Sequence, residues 1–183
     1  MFARTERLLL RPGWREDAPA LFQAIADERI VRNLATAPWP YCPADAETFL
    51  MRDRPADSAA CLIFLRTDSA PRLAGGIGVA RTPEGEFEFG YWIARPLWGQ
   101  GIATEAGRAL LANARDTLRL PRLVAGHFTD NPASGRVLEK LGFRATGVTR
   151  GRYSAGRGGI APAKEFVLEL CEGAECADRA MAA

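Results

Sequence analysis

The sequence predicts an α/β (α+β) fold with a mixed, mostly antiparallel central sheet and helices on its faces. Three observations lead there. Strand-like runs at residues 60–66, 73–81 and 86–94 follow one another closely, and the last two flank the turn TPEGE, so they form an antiparallel meander. A glycine turn then leads through an amphipathic run to another strand-like run at 123–129. A strand joined to the next across a helix favours parallel pairing, so this run should lie beside 87–93. Finally, the chain has 183 residues, 48% hydrophobic and 25% charged, enough for one full-sized core. Residues 1–172 are read as a single domain and 173–183 as a fraying tail.

The elements follow in order. Residues 7–11 form a first strand, stopped by Pro12. Residues 16–26 carry Leu21, Ala24 and Ile25 at helical spacing, and 30–34 form a second short helix. Three prolines with Trp39 and Tyr41 make 35–43 a shaped loop, where a substrate lid would sit. A third helix covers 44–52. After the meander, a helix over 104–118 buries Ala106, Leu110, Ala114 and Leu118. Asn131-Pro132 opens another helix, with an N-cap residue before proline, and Gly142 closes it. Residues 143–150 and 164–170 are the last strands, joined by a glycine-rich connection at 151–162 that is expected to be mobile.

Composition excludes several classes. A net charge of +2 gives no general attraction to nucleic acid or membrane. No apolar run approaches the ~20 residues of a membrane span, and the three-leucine run near the N-terminus is too short for a signal peptide. A cytoplasmic location is expected. Cys42, Cys61, Cys171 and Cys176 are scattered and do not cluster with His127, so neither a disulfide framework nor a metal site is expected. Cys61, inside CLIFL, reads as a buried apolar filler.

Three stretches could carry chemistry. In WGQGIATEA, Gly99 and Gly101 precede a helix start. Glycine lets the backbone turn tightly and approach a ligand, and the unpaired amides of a helix start suit an anion such as phosphate. In the strand before it, Glu86, Glu88, Gly90 and Trp92 share one face, and Phe87, Phe89, Tyr91 and Ile93 the other. The two carboxylates would stand roughly 7 Å apart. Each would raise the other's proton affinity, which suits a general base. In the helix NPASGRVLEKLGF, Ser134 heads the stripe Val137, Leu138, Leu141, so its hydroxyl points inward, as a local cap or as a proton donor. Asn131 is a cap, or a cap that also touches a ligand. Parallel strands that splay apart make a crevice at their carboxyl ends, the usual place for a ligand.

Taken together, EFGYWI-x(4)-WGQGIATEA and NPASxRVLEKLGF, with the opening RLLLRP-x(4)-DA, resemble the GNAT (GCN5-related N-acetyltransferase) superfamily, in its RimJ/RimL-like branch. The resemblance covers nearly the whole chain. It implies the GNAT fold, with a splay between parallel strands that binds acyl-CoA, and acetyl transfer from acetyl-CoA to a primary amine, without a metal. The turn of Trp98, Gly99, Gln100, Gly101, Ile102, Ala103 and Thr104 would hold the pyrophosphate. Trp98 stands where the family usually has Gln or Arg. Asn131 would touch the cofactor arm. Main-chain groups of Tyr91, Trp92 and Ile93 would pair with that arm or stabilise the reacting carbonyl. Many relatives carry a tyrosine acid where this chain has Leu138, so Ser134 is the substitute. Glu88 would be the base, with Glu86 second. No cysteine sits at the expected site, so direct transfer is implied.

The acceptor, a protein N-terminus or a small-molecule amine, would enter between the 35–43 loop and the 151–162 connection. Asp45 there could attract a cation, and Arg152 or Arg157 an anion. The exposed last strand could support a homodimer. Two other classes are weighed. A catalytically silent acyl-CoA-binding module would keep the fold without the chemistry. A Rossmann-type dinucleotide binder would use GQGIAT as its phosphate turn and Asp130 as its ribose acid, but a meander precedes the motif.

Overall fold

The computed structural model describes residues 1–53 and 55–170. The 173–183 tail, Cys171 and Cys176 lie outside the described residues. The chain begins with β1 (Ala3–Arg4) and β2 (Leu8–Arg11), a 3-10 turn at Arg15–Asp17, and three helices, α1 (Ala18–Ile25), α2 (Glu28–Val31) and α3 (Pro43–Met51). The meander is β3 (Ala59–Leu65), β4 (Arg72–Arg81) and β5 (Phe87–Ile93). A 3-10 turn at Arg95–Leu97, α4 (Ile102–Asp116), β6 (Arg122–Phe128) and α5 (Pro132–Lys140) follow. The chain ends in β7 (Arg144–Ser154), a short turn at Ala155–Arg157 and β8 (Gly159–Glu169).

These strands form one eight-stranded sheet in the order β1-β2-β3-β4-β5-β6-β8-β7. Every neighbouring pair is antiparallel except β5 and β6, which are parallel. This is the mixed sheet that the sequence predicts. Both faces are covered, which explains why CLIFL is apolar throughout. Cys61 and Ile63 face a core shared with Ala106, Leu110 and Ala114 of α4 and Leu138 of α5. Leu62 and Phe64 face a second core with Leu21 and Ile25 of α1 and Leu50 of α3.

A buried ion pair fastens the first turn to the sheet. Arg11 grips Asp17 with two bonds of 2.7 Å, and Trp14 N–H adds a third at 2.7 Å. The Arg11 guanidinium stacks 3.9 Å from the Trp14 ring centroid and 4.2 Å from that of Phe64. Burial pushes the Asp17 carboxyl up, but Arg11 and the Trp14 amide outweigh it and hold it below the usual range.

The structure moves some boundaries. The strand β1 was not anticipated. The second helix starts at Glu28, because the Asp27 carboxylate caps Arg29 N–H at 2.9 Å. The long helix starts at Ile102, because Gly101 takes a left-handed conformation (φ +76°) and acts as its N-cap. It ends at Asp116, leaving Leu118 beyond it. The largest correction concerns 151–162. Those residues are the tip of a long hairpin and not a loose connection: Gly151 pairs with Pro162 and Ser154 with Gly159. Ser154, fully buried, donates to the carbonyls of Arg32 and Leu34, and Ala155 N–H donates to Ala35. Arg157 donates to Arg32 O and pairs with Asp130. Gly156 lies so close to α2 that a Cβ there would stand 2.6 Å from the Val31 carbonyl oxygen. Gly156→Ala should therefore cost about 1–3 kcal/mol, read as a lower urea midpoint. An unchanged midpoint would mean that the tip is not seated on α2.

Candidate active site

The site is an opening in the middle of the sheet. The parallel strands β5 and β6 share a single register pair, Glu88 with Val124. Beyond it, among the described residues, β5 has no strand partner on that side. Ala94 N–H donates to Ala74 O at 2.8 Å, extending the β4–β5 ladder. Alternation along a strand then turns Gly90 and Trp92 amides toward β4, and those of Tyr91 and Ile93 toward the opening. Trp92 main-chain groups, expected among the ligand contacts, are thus spent on β4. The Ile93 carbonyl accepts the Trp98 indole N–H at 2.7 Å, which ties the glycine turn to the strand end.

In that turn Gly99 and Gly101 both have φ +76°, a region that disfavours any residue with a Cβ. The first helical bond of α4 runs from Glu105 N–H to Gly101 O at 3.0 Å. The amides of Ile102, Ala103 and Thr104 precede it and are the orphan donors of a helix start. Arg7 lies beside them, its charge met by Glu105. It donates to Gln100 O at 3.1 Å and pairs with Glu105 at 2.7 Å. Glu105 also accepts from Thr5 Oγ1 at 2.5 Å and Arg7 N–H at 3.0 Å. Burial pushes the Glu105 carboxyl up, and these donors hold it below the usual range. Glu105 is the central acid of the TEA part of the motif, and its partners Thr5 and Arg7 come from the far end of the chain, which no local pattern reveals.

Across the opening, Tyr91 Oη donates to Ser134 Oγ at 3.0 Å. Burial pushes the Tyr91 phenol up, against the Ser134 bond, so it stays neutral. Since Ser134 accepts this bond, its own proton is free to be given elsewhere. Asn131 is the N-cap of α5 by backbone, but its side chain makes no capping bond. His127, buried beside them, uses Nδ1 on the Phe128 carbonyl at 2.8 Å. The tight fit of Gly135 against its Nε2, 2.7 Å from a would-be Cβ, holds α5 close to β6.

The two glutamates part company. Glu88 lines the cleft and pairs with Arg152 of β7. Glu86 precedes β5 and pairs with Arg122 at 3.3 Å, away from the cleft lining. The expectation of two carboxylates acting on one another gives way to two carboxylates, each with its own arginine. Sequence reading placed Arg152 near the acceptor but missed its pairing with Glu88. The guanidinium reaches Glu88 over Gly126, where a Cβ would stand 3.2 Å from Arg152 Nη1.

The whole cleft holds about 1100 Å³. In the 35–43 loop Trp39 is exposed but Tyr41 is buried, and burial and then the Asp45 charge push the Tyr41 phenol up to about 12. Arg157 is committed elsewhere: it stacks 4.4 Å from the Phe128 ring centroid and holds Asp130 at 2.8 Å. Arg32 pairs with the same carboxylate at 3.0 Å. Asp130 is therefore a clasp for the hairpin and not a ribose acid, and one parallel pair in an antiparallel sheet is not a Rossmann sheet. Among the described residues no helix is long and apolar enough to cross a membrane.

A sheet opened at one parallel pair, with a glycine turn and a helix start at its mouth, defines an acetyltransferase fold. Residues 7–144 match the family model described as an acetyltransferase (GNAT) domain, and the chain belongs to that family. It is an acetyltransferase, class EC 2.3.1.-. It is 27% identical over 167 residues to the uncharacterized N-acetyltransferase p20 of Bacillus licheniformis, covering 90% of this chain and 93% of that one. A GNAT-family acetyltransferase from Bacillus anthracis superposes with a TM-score of 0.78 at 22% identity, over 94% of this chain and 100% of that one. The ribosomal alpha-N-protein acetyltransferase RimL, in complex with coenzyme A, gives 0.73 at 21%, over 92% and 98%.

Proposed function

We propose that this acetyltransferase moves the acetyl group of acetyl-CoA directly to a primary amine. The observation that carries the reading is the opening beside β5. Glu88 stands at its start, and the Tyr91–Ser134 pair and the free start of α4 stand around it. The RimL structure, which holds coenzyme A in the same fold, supports it.

The chemistry follows from these groups. Amides of Ile102, Ala103 and Thr104, with Gly99 and Gly101, would hold the pyrophosphate. Asn131 would touch the arm that runs into the opening. An alkylamine is protonated near neutrality and cannot attack until it sheds a proton. Glu88 takes that proton, directly or through water, and passes it to solvent. Amides of Tyr91 and Ile93 face the charge that develops on the acetyl oxygen. The C–N bond forms and the C–S bond breaks. Ser134, held by Tyr91, gives the sulfur its proton, which the second proton shed by the nitrogen balances. Glu86 has no part in this scheme, and much of the rate comes from positioning.

The test is thermal melting with acetyl-CoA, with NAD and ATP as controls, followed by thiol release with an amine panel. A ligand at a hundred times its Kd adds about 2.7 kcal/mol to the native state. We expect acetyl-CoA alone to raise the melting temperature. In Gly101→Asp the rise should shrink or vanish, because a carboxylate stands beside the phosphate site and the left-handed backbone disfavours it. A full rise in that variant would move the phosphate site elsewhere.

A further inference from the structure

The acceptor can be narrowed, on the acetyl-transfer reading above, by the ion pair between Glu88 and Arg152. We infer that the acceptor is a free amino acid: an amine with a carboxylate one or two carbons away. Glu88 takes its ammonium and Arg152 its carboxylate.

Three observations and one general property of the guanidinium carry this. Glu88 and Arg152 both line the cleft, and their side chains keep 27% and 34% of their surface exposed, so the pair is reachable by a ligand. A guanidinium has five N–H donors in a planar fork, and Glu88 is the one acceptor recorded for it among the described residues. The fork is matched to a carboxylate, which it grips with two parallel bonds. Of the two arginines that the hairpin tip carries, Arg157 is consumed by Asp130, Arg32 O and the Phe128 ring, while Arg152 lines the cleft.

The electrostatics favour a zwitterion in particular. Glu88 and Arg152 are two opposite charges at ion-pair distance. An amino acid carries the same two charges at a similar separation. Laid antiparallel beside the pair, each of the four charges gains an opposite neighbour, and Glu88 keeps Arg152 while it meets the ammonium. A plain amine would lack a partner for the fork. A peptide N-terminus has a neutral amide where the carboxylate would be, so it leaves the fork equally unanswered. Gly126 makes the arrangement possible, since any side chain there would crowd the guanidinium on its way across β6.

The test needs no mutation at first. With acetyl-CoA saturating, thiol release is compared for each of the twenty amino acids as free acid and as carboxamide. A phosphonate analogue and a tripeptide starting with the favoured residue complete the set. The carboxamides have the less basic amines and react more readily in water, so a preference for the acid must come from the protein. We expect at least one acid to exceed its amide in kcat/KM by about tenfold or more, the ratio one charge-assisted pair supplies. The tripeptide should fall with the amide. A phosphonate that outruns the acid would replace the carboxylate as the recognised anion and overturn the amino-acid assignment. In Arg152→Gln the acid-to-amide ratio should collapse toward one, mainly through KM, with Arg152→Lys in between. Amides or the tripeptide matching or exceeding the acids would overturn the inference and leave acetyl transfer standing, as would an Arg152→Gln ratio equal to that of the unmodified protein. No thiol release with any acceptor, and no melting shift with acetyl-CoA, would remove the underlying reading and this inference with it.

Discussion

Glutamine in place of Glu88 should lower kcat for amine acetylation by about a hundredfold or more, the usual contribution of a positioned general base. Acetyl-CoA affinity should stay nearly intact, because Glu88 stands at the start of the opening and the proposed phosphate site is at the start of α4. The pH profile should shift, because the remaining route for the ammonium proton is water. Glu86→Gln is the matched control, since Glu86 is held by Arg122 away from the cleft lining. Steady-state rates for both variants over a pH series decide the matter. If Glu88→Gln turned over at the unmodified rate, or Glu86→Gln lost as much, the base would be wrongly assigned. The two arms of the ion pair also separate cleanly: loss of Glu88 slows every acceptor, whereas loss of Arg152 changes which acceptors are preferred.

The second large effect is on stability. Asp17→Asn should cost about 3 kcal/mol, because it leaves Arg11 charged in a site where both side chains are nearly covered, 13% and 11% exposed. The pH dependence carries a definite sign. The folded carboxyl titrates below its unfolded value near 3.9. Its contribution is therefore complete above that unfolded value and is lost as pH falls through the folded one. Urea midpoints of the unmodified protein and the variant should differ widely at pH 7 and by less at pH 3, below the unfolded value. A gap that stays the same at both would mean that the asparagine changed packing and not charge.

Much of the architecture was legible because it rests on local pattern. Alternation in FEFGYWI marks a strand that turns Phe87, Phe89, Tyr91 and Ile93 to the core, and the stripe Ala106, Leu110, Ala114 marks the buried face of α4. The turn at Gly99 and Gly101 was legible because only glycine takes φ +76° without cost. The final hairpin was not. Its glycines read as loop punctuation, yet Gly156 is small because Val31 presses on it, and Gly151 pairs within a ladder. Glycine reports either freedom or crowding, and sequence alone does not separate the two. The same limit hid the pairings of Glu88 with Arg152, Glu105 with Arg7, and Asp130 with Arg32 and Arg157. Ion pairs between distant segments leave no periodic trace. Ser134 was legible as an inward hydroxyl from helical spacing, but its Tyr91 partner required the strand and helix to meet.

The single register pair between β5 and β6 has a further consequence, for self-association. A row of unpaired main-chain donors is what recruits a stray strand from another molecule and seeds aggregation. Proteins usually blunt such an edge at the rim of the sheet. Here the unpaired stretch of β5 lies in the sheet interior, between strands on either side and beneath α4 and α5. The unpaired backbone groups that the proposed cofactor arm would use are therefore kept away from the rim of the sheet, where another molecule's strand would meet them.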